Sequence, residues 1–233
     1  MAALKKGEIV RINYTARFAD NDKVFDTTDA DIAKEAGIFN EKYSYAAMPY
    51  IIGSGRFFKV LDEAIASAEV GKETEIVIKC EDAAGAKDPK LIQTYPIKEF
   101  YKQEIMPQPG LEVKLGDKTG TVLTVGAGRV KVDFNNFLAG KDLKYTFKVE
   151  EIMEDKAAKA DAIVQMDFGT AEGFSFDFTD DKVIVHTSDI TKFNQGWLMA
   201  KFRIVNDLRE STGIDTIEFV ETWAKPAETK KSE

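Results

Sequence analysis

The side chains that could do covalent or acid–base work are few and scattered. There is one thiol, Cys80, and one imidazole, His186, in 233 residues. A single cysteine excludes an internal disulfide and a multi-cysteine zinc site, and a single histidine leaves no imidazole cluster and no histidine-relayed triad. Cys80 ends the apolar face of a strand-like run without a base beside it in sequence, and reads as a small buried hydrophobe. His186 stands alone in a strand and reads as a packed or solvated ring. Asp20-Asn21-Asp22 and Asp29-Ala30-Asp31 lack the sixth-position glycine and the remaining oxygen ligands of a calcium loop, so they read as solvated turns. Gly53-Ser54-Gly55 imitates a dinucleotide fingerprint, but Phe58 occupies the third glycine position and the flanking order is not βαβ. Asn13-Tyr14-Thr15 is formally a glycosylation acceptor, inside a strand. The chemistry open to this chain runs without thiol pairs or imidazole networks, and neither a metal nor a cofactor is expected.

What remains unusual is aromatic. Tyr14, Phe25, Tyr50, Phe57, Phe58 and Tyr145 come from separate strands and from the start of a helix. Each ring taken alone belongs to a core on ordinary burial preferences, and a well-filled small barrel or curved sheet accounts for all of them. Gathered around one hollow, the same rings would instead exclude water from whatever enters it.

The hydropathy pattern predicts the elements that must position these rings. From Ile9 to Phe18, Val10, Ile12, Tyr14, Ala16 and Phe18 alternate with Arg11, Asn13, Thr15 and Arg17, the period of a half-buried strand. Val24-Phe25 extends to Asp26-Thr27-Thr28, Asp29 to Gly37 reads as a short surface helix, and Tyr43 to Ile52 is an aromatic, apolar run closed by the glycine turn. Phe57, Phe58, Val60, Leu61, Ala64, Ile65 and Ala68 follow helical spacing, with Gly71 as a stop. Thr74 to Cys80 and Leu143 to Val149 alternate as strands. Between them lie short strands at Leu111–Leu115, Gly120–Val125 and Arg129–Phe134, then a turn expected to bury Phe137 and Leu138. From Glu154 onward the pattern is α-β-β-α-β, with helices near 156–168 and 195–211, strands near 174–179, 182–187 and 215–223, and a polar, frayed end at 225–233.

Composition narrows the function classes further. A net charge of −8, with 31% charged and 44% apolar residues, describes an ordinary globular protein and argues against a phosphate-binding surface. No apolar run approaches the roughly 18 residues of a membrane span. The opening Met1-Ala2-Ala3-Leu4-Lys5-Lys6 has no apolar stretch behind its charges, so it does not read as a signal peptide. Neither nucleic acid nor membrane is an expected partner, and a cytoplasmic location is expected.

Several of these runs follow a known order. Val10-Arg-Ile-Asn-Tyr14-Thr-Ala followed by Val24-Phe-Asp26-Thr-Thr resembles the opening of FKBP-type peptidyl-prolyl isomerases. Ile52-Gly-Ser-Gly-Arg-Phe-Phe-Lys-Val-Leu-Asp62-Glu-Ala-Ile resembles the segment carrying that family's central helix, and Val70-Gly-Lys-Glu its following turn. Asp82-Ala-Ala-Gly85 falls where the family has Ala-Tyr-Gly, so Ala84 stands in place of a pocket tyrosine. Leu143 to Glu150 is similar to the closing strand, and Val130 to Lys141 resembles the signature of the SlyD-like branch, which carries a small domain in its flap. Asp29 to Tyr43 and the last unit resemble the long archaeal forms.

The resemblance implies an α+β fold, a curved antiparallel sheet wrapped on a short helix. Residues 1–90 and 138–153 would form the isomerase domain, 91–137 an inserted β-rich chaperone domain, and 154–233 a C-terminal α-β-β-α-β domain. It implies a proline pocket walled and floored by Phe25, Phe57, Phe58, Leu61 and Tyr145, with Tyr14 holding Asp26 and with Met48 and Tyr50 at the near edge. It also implies a client-binding surface of Phe100, Tyr101, Ile105 and Met106. The partners would be unfolded or proline-containing polypeptides. A homodimer through the C-terminal domain and a self-contained cap are both open. Rotation about a peptide bond faces roughly 18–20 kcal/mol, and X–Pro exchange takes roughly tens to hundreds of seconds. A twisted amide is less dipolar than a planar one, so an apolar cleft favours it without any covalent step. A non-catalytic holdase on the same fold is the second reading, and a plain interaction scaffold the third.

Overall fold

Alternation along the first strand sets the layering. β1 (Ile9–Phe18) buries Val10, Ile12, Ala16 and Phe18, as its period predicts. The computed structural model describes residues 4–224, so the end at 225–233 lies outside the described residues. β3 (Met48–Ile51) runs antiparallel beside the first half of β1, pairing Ile9 with Ile51, Val10 with Tyr50 and Ile12 with Met48. Together with β2 (Val24–Thr27), β4 (Glu73–Ile78) and β9 (Leu143–Ile152) they form a five-stranded sheet in the order β2-β1-β9-β4, with β3 beside β1. α1 (Ala30–Glu35) is capped by Asp29, whose Oδ1 accepts from the Asp31 and Ile32 amides at 2.8 and 3.0 Å, so this carboxylate serves a helix end. α2 (Lys59–Ala66) buries Leu61 and Ile65.

Internal contacts divide the described chain into two units, one of residues 4–15, 26–75 and 146–224, the other of residues 16–25 and 76–145. In the first, α4 (Lys156–Phe168) precedes the antiparallel pair β10 (Ser175–Phe178) and β11 (Lys182–His186). α5 (Trp197–Thr212) then supplies the crossover that lets β12 (Thr216–Val220) lie parallel to β11. The α-β-β-α-β order expected from sequence is the order present. Ile9 and Ile51 join Met153, Ile163, Val183, Trp197, Ile204 and Leu208 in one core. The strand period alone gives Ile9 no such role, because most of its partners in that core come from Met153 onward.

The second unit holds the inserted sheet, ordered β5-β8-β7-β6 and antiparallel throughout. Its strands are β5 (Ile92–Pro96), β6 (Glu112–Leu115), β7 (Lys118–Gly126) and β8 (Arg129–Asp133), with α3 (Ile97–Tyr101) after β5. β5 was not visible in the pattern, and its Pro96 is tolerated because β5 is an edge strand. Phe100, Val113, Val122, Val130 and Val132 make the core. Phe137, expected to be buried, is 61% exposed.

Candidate functional site

The short segment between β3 and α2 gathers side chains from several elements. At Gly53 φ is +77°, and a Cβ would stand 2.6 Å from Lys6 Cγ, so the turn requires glycine. The Gly53 N–H donates to Asp62 Oδ1 at 2.9 Å, and the Tyr50 hydroxyl donates to the same oxygen at 2.8 Å. Asp62 lies in the first turn of α2, where the helix dipole favours a carboxylate, and it ties strand, turn and helix together. Burial, and then the bond to Asp62, raise the Tyr50 hydroxyl above the ordinary tyrosine value. Tyr50 is therefore a fixed donor, and its ring is fully buried.

Phe57 packs on that ring, with centroids 4.9 Å apart and planes tilted 37°. It meets Tyr14 of β1 in a T-shaped contact at 5.5 Å and 83°. The Tyr14 hydroxyl donates to Asp26 Oδ2 of β2 at 2.7 Å. Five side chains, Asp26, Tyr14, Phe57, Tyr50 and Asp62, thus form one chain of contacts running from an exposed carboxylate through half-buried rings to a buried one. Phe58 is the N-cap of α2 with extended backbone and no side-chain cap, so the first-turn amides carry no capping acceptor. Leu61 is buried one turn further on. Met48 starts β3 half-buried, opposite Ile12, and is not part of this contact chain.

In the second unit Phe25 makes its own ring cluster. It lies 6.2 Å from Tyr145 in a T-shaped contact, 4.9 Å from Phe18 and 6.0 Å from Phe137. Of the four insert residues expected to be surface-exposed, Tyr101 and Met106 are 49% and 68% exposed, and Ile105 is half-buried against the insert core. Phe100 corrects the expectation. It is fully buried in that core, because α3 turns it onto the sheet while presenting Tyr101 to solvent. A polar groove of about 500 Å³, lined by Asn13, Thr28, Tyr45 and Glu150 among others, shares Tyr14 with the ring chain, but Asp26, Tyr50 and Phe57 do not line it.

Comparison with known proteins decides the family. Residues 2–96 match the family of FKBP-type peptidyl-prolyl cis-trans isomerases, 93–138 the FKBP26 IF domain and 156–224 the FKBP26 C-terminal family. The short-type peptidyl-prolyl cis-trans isomerase of Methanocaldococcus jannaschii is 33% identical over 149 residues, 64% of this chain and 94% of that protein. The chain belongs to the FKBP-type peptidyl-prolyl cis-trans isomerases. The isomerase SlyD of Helicobacter pylori is 28% identical over 137 residues, 56% of this chain and 68% of its own length. SlyD of Escherichia coli is 30% identical over 113 residues, 47% and 57% of the two chains. This FKBP-type chain thus carries an insert and a C-terminal unit that each match a family of their own. No helix among the described residues is long and apolar enough to cross a membrane.

Two residues of this neighbourhood escape a linear reading. Asp62 looks like any polar position of an amphipathic helix, and Arg56 like a loop cation. The one signal available was Asp62 itself, an acid in the first turn of a helix with no capping side chain before it.

Proposed function

We propose that this chain speeds cis–trans exchange of X–Pro bonds in polypeptides by enclosing the twisting amide in a ring-lined, water-poor hollow. Tyr14, Tyr50 and Phe57 supply apolar wall and floor, Leu61 and Phe58 extend them from α2, and Asp26 is the polar group at the exposed end. The resemblance enlists Met48, Phe25 and Tyr145 for the same reaction. A planar amide entering such a hollow loses more hydration than a twisted one, so the barrier falls without acid, base or nucleophile. The Phe58 N–H, at the entry to α2, suits the carbonyl of the residue before proline. The observation that carries this reading is the unbroken contact chain from exposed Asp26 to buried Tyr50. Exchange spectroscopy on a short X–Pro peptide tests it with the full chain. Enhanced exchange is expected, and exchange at the uncatalysed rate overturns it.

A holdase role for the insert is the second part of the proposal, supported by the exposure of Tyr101 and Met106 with Leu111 and Leu123 in the same small unit. Holding an unfolded segment on the same chain as the pocket raises the local concentration of its prolines. Self-association through α5 is the third part, supported by Leu198, Met199 and Phe202, which lie exposed on one helix.

A further inference from the structure

Arg56 immediately precedes Phe57 in the loop before α2, yet its side chain reaches into the C-terminal helices. Nη2 donates to Asp167 Oδ1 of α4 at 2.8 Å and to Asp207 Oδ2 of α5 at 2.5 Å. Arg203 of α5 completes the group, its Nε 3.2 Å from Asp167 Oδ1 and its Nη2 2.7 Å from the Asp167 carbonyl. Two guanidinium and two carboxylate groups balance in charge. The Asp167 side chain is wholly buried, and its Oδ2 has no hydrogen-bond partner among the described residues. Such an acid costs folding energy unless its charge is compensated, so it is committed to its arginines. Burial and the charge of Asp167 hold the Asp207 carboxyl above the usual carboxylate value even against Arg56.

The loop is also held at both ends, and at Ser54, whose N–H donates to the Ile51 carbonyl at 3.2 Å. Gly53 is fixed by Asp62, and Asp62 N–H returns to the Phe58 carbonyl at 3.0 Å. Between them a Cβ built at Gly55 would meet nothing within 4 Å, so open space lies beside that bend. A buried acid, Asp167, with half-buried Asp207 beside it, anchors the residue next to Phe57, where the loop has left the Gly53 turn and not yet entered the helix.

We propose that Arg56 is a positioning residue for prolyl isomerisation: the Asp167–Asp207 pair of the C-terminal helices grips it and thereby fixes the Phe57 wall of the pocket. This rests on the isomerase reading of the Phe57 site. The C-terminal unit then contributes to turnover without touching substrate, and the loop order it supplies is absent from a chain with the grip removed.

The test uses the full chain and the short-peptide exchange assay, with urea denaturation as a control for folding. Arg56→Gln is expected to lower kcat/KM about tenfold, the scale of a small misplacement of a binding wall. It is also expected to broaden the Phe57 and Phe58 amide resonances. Both Arg56 contacts come from one nitrogen, so Arg56→Lys can bridge the same acids and is expected to restore activity to within about threefold of wild type. A folded Arg56→Gln within about twofold of wild type overturns the proposal, as does Arg56→Lys no better than Arg56→Gln. Should Arg56→Gln not fold, Asp207→Asn, which leaves Arg203 on Asp167, is read by the same two limits. Wild type without activity instead overturns the isomerase reading, and this proposal with it.

Discussion

Replacing Phe57 separates what its ring does for stability from what its apolar surface does for catalysis. Among the described residues the ring makes aromatic contacts to Tyr14 at 5.5 Å and to Tyr50 at 4.9 Å. At about 0.5–1.5 kcal/mol per pair, Phe57→Leu loses roughly 1–3 kcal/mol of ring interaction, part of it regained by leucine's own contacts. Leucine nevertheless keeps an apolar wall, so desolvation of the amide survives and kcat/KM is expected to stay within about threefold. Phe57→Asn removes a similar ring contribution and puts a hydrated amide in the wall. Losing the transfer term of one half-buried side chain, roughly 2 kcal/mol, from the twisted state predicts about a thirtyfold fall in kcat/KM. Urea midpoints give the stability arm, and exchange spectroscopy on an X–Pro peptide gives the rate arm. The desolvation reasoning is refuted if the two variants, equally folded, show the same activity, because polarity of the wall would then be irrelevant.

Four more outcomes can be checked separately. In the insert, burial works to raise the Asp133 carboxyl, but Lys87 at 2.6 Å and Asn135 outweigh it and hold it below the ordinary 3.8. Its stabilising contribution is therefore present above 3.8 and fades as pH falls through the depressed value, and Lys87→Met should bring acid unfolding on at higher pH. With Lys87 43% exposed and screened, the neutral-pH cost should be only about 1 kcal/mol, read by urea unfolding. Gly120→Ala would push a Cβ to 2.8 Å from the Asp133 carbonyl and 2.7 Å from the Phe134 ring, so thermal unfolding should show roughly 1–3 kcal/mol lost. Tyr101→Ser with Met106→Ser should leave peptide exchange unchanged while slowing catalysed refolding of a whole protein several-fold, and equal losses on both substrates would refute the division of labour. Leu198→Lys with Phe202→Lys should convert an associated species to monomer in sedimentation, and a monomeric wild type would refute pairing through α5.

Much of the fold is legible in the sequence, and for local reasons. The period of two in Ile9–Phe18 and Leu143–Val149, and the helical spacing from Phe57 to Ala68, are written in consecutive residues, so β1 is placed to the residue and β9 and α2 to within three residues at each end. The C-terminal α-β-β-α-β order was legible for the same reason. The site rings were nameable as well, but their residue types did not separate pocket from core. What linear patterning misassigned was burial at turns and at a short helix. Phe137 and Phe100 are both phenylalanines in glycine- or proline-punctuated stretches, yet one faces solvent and the other fills the insert core.

The remaining division lies between properties carried by neighbours in sequence and properties carried by neighbours in space. Strand period, helix stops, turn glycines, the lack of thiol or imidazole chemistry and the family's ordered motifs are properties of the chain as written, and they were enough to say what class of reaction it could support. That Tyr14 holds Asp26, that Asp62 binds both Tyr50 and Gly53, and that Arg56 reaches Asp167 and Asp207 from 111 and 151 residues away are properties of distance in the folded state. A hydrogen bond or ion pair is a short-range interaction that leaves no period in the sequence. Only the packed structure can decide which polar side chain meets which.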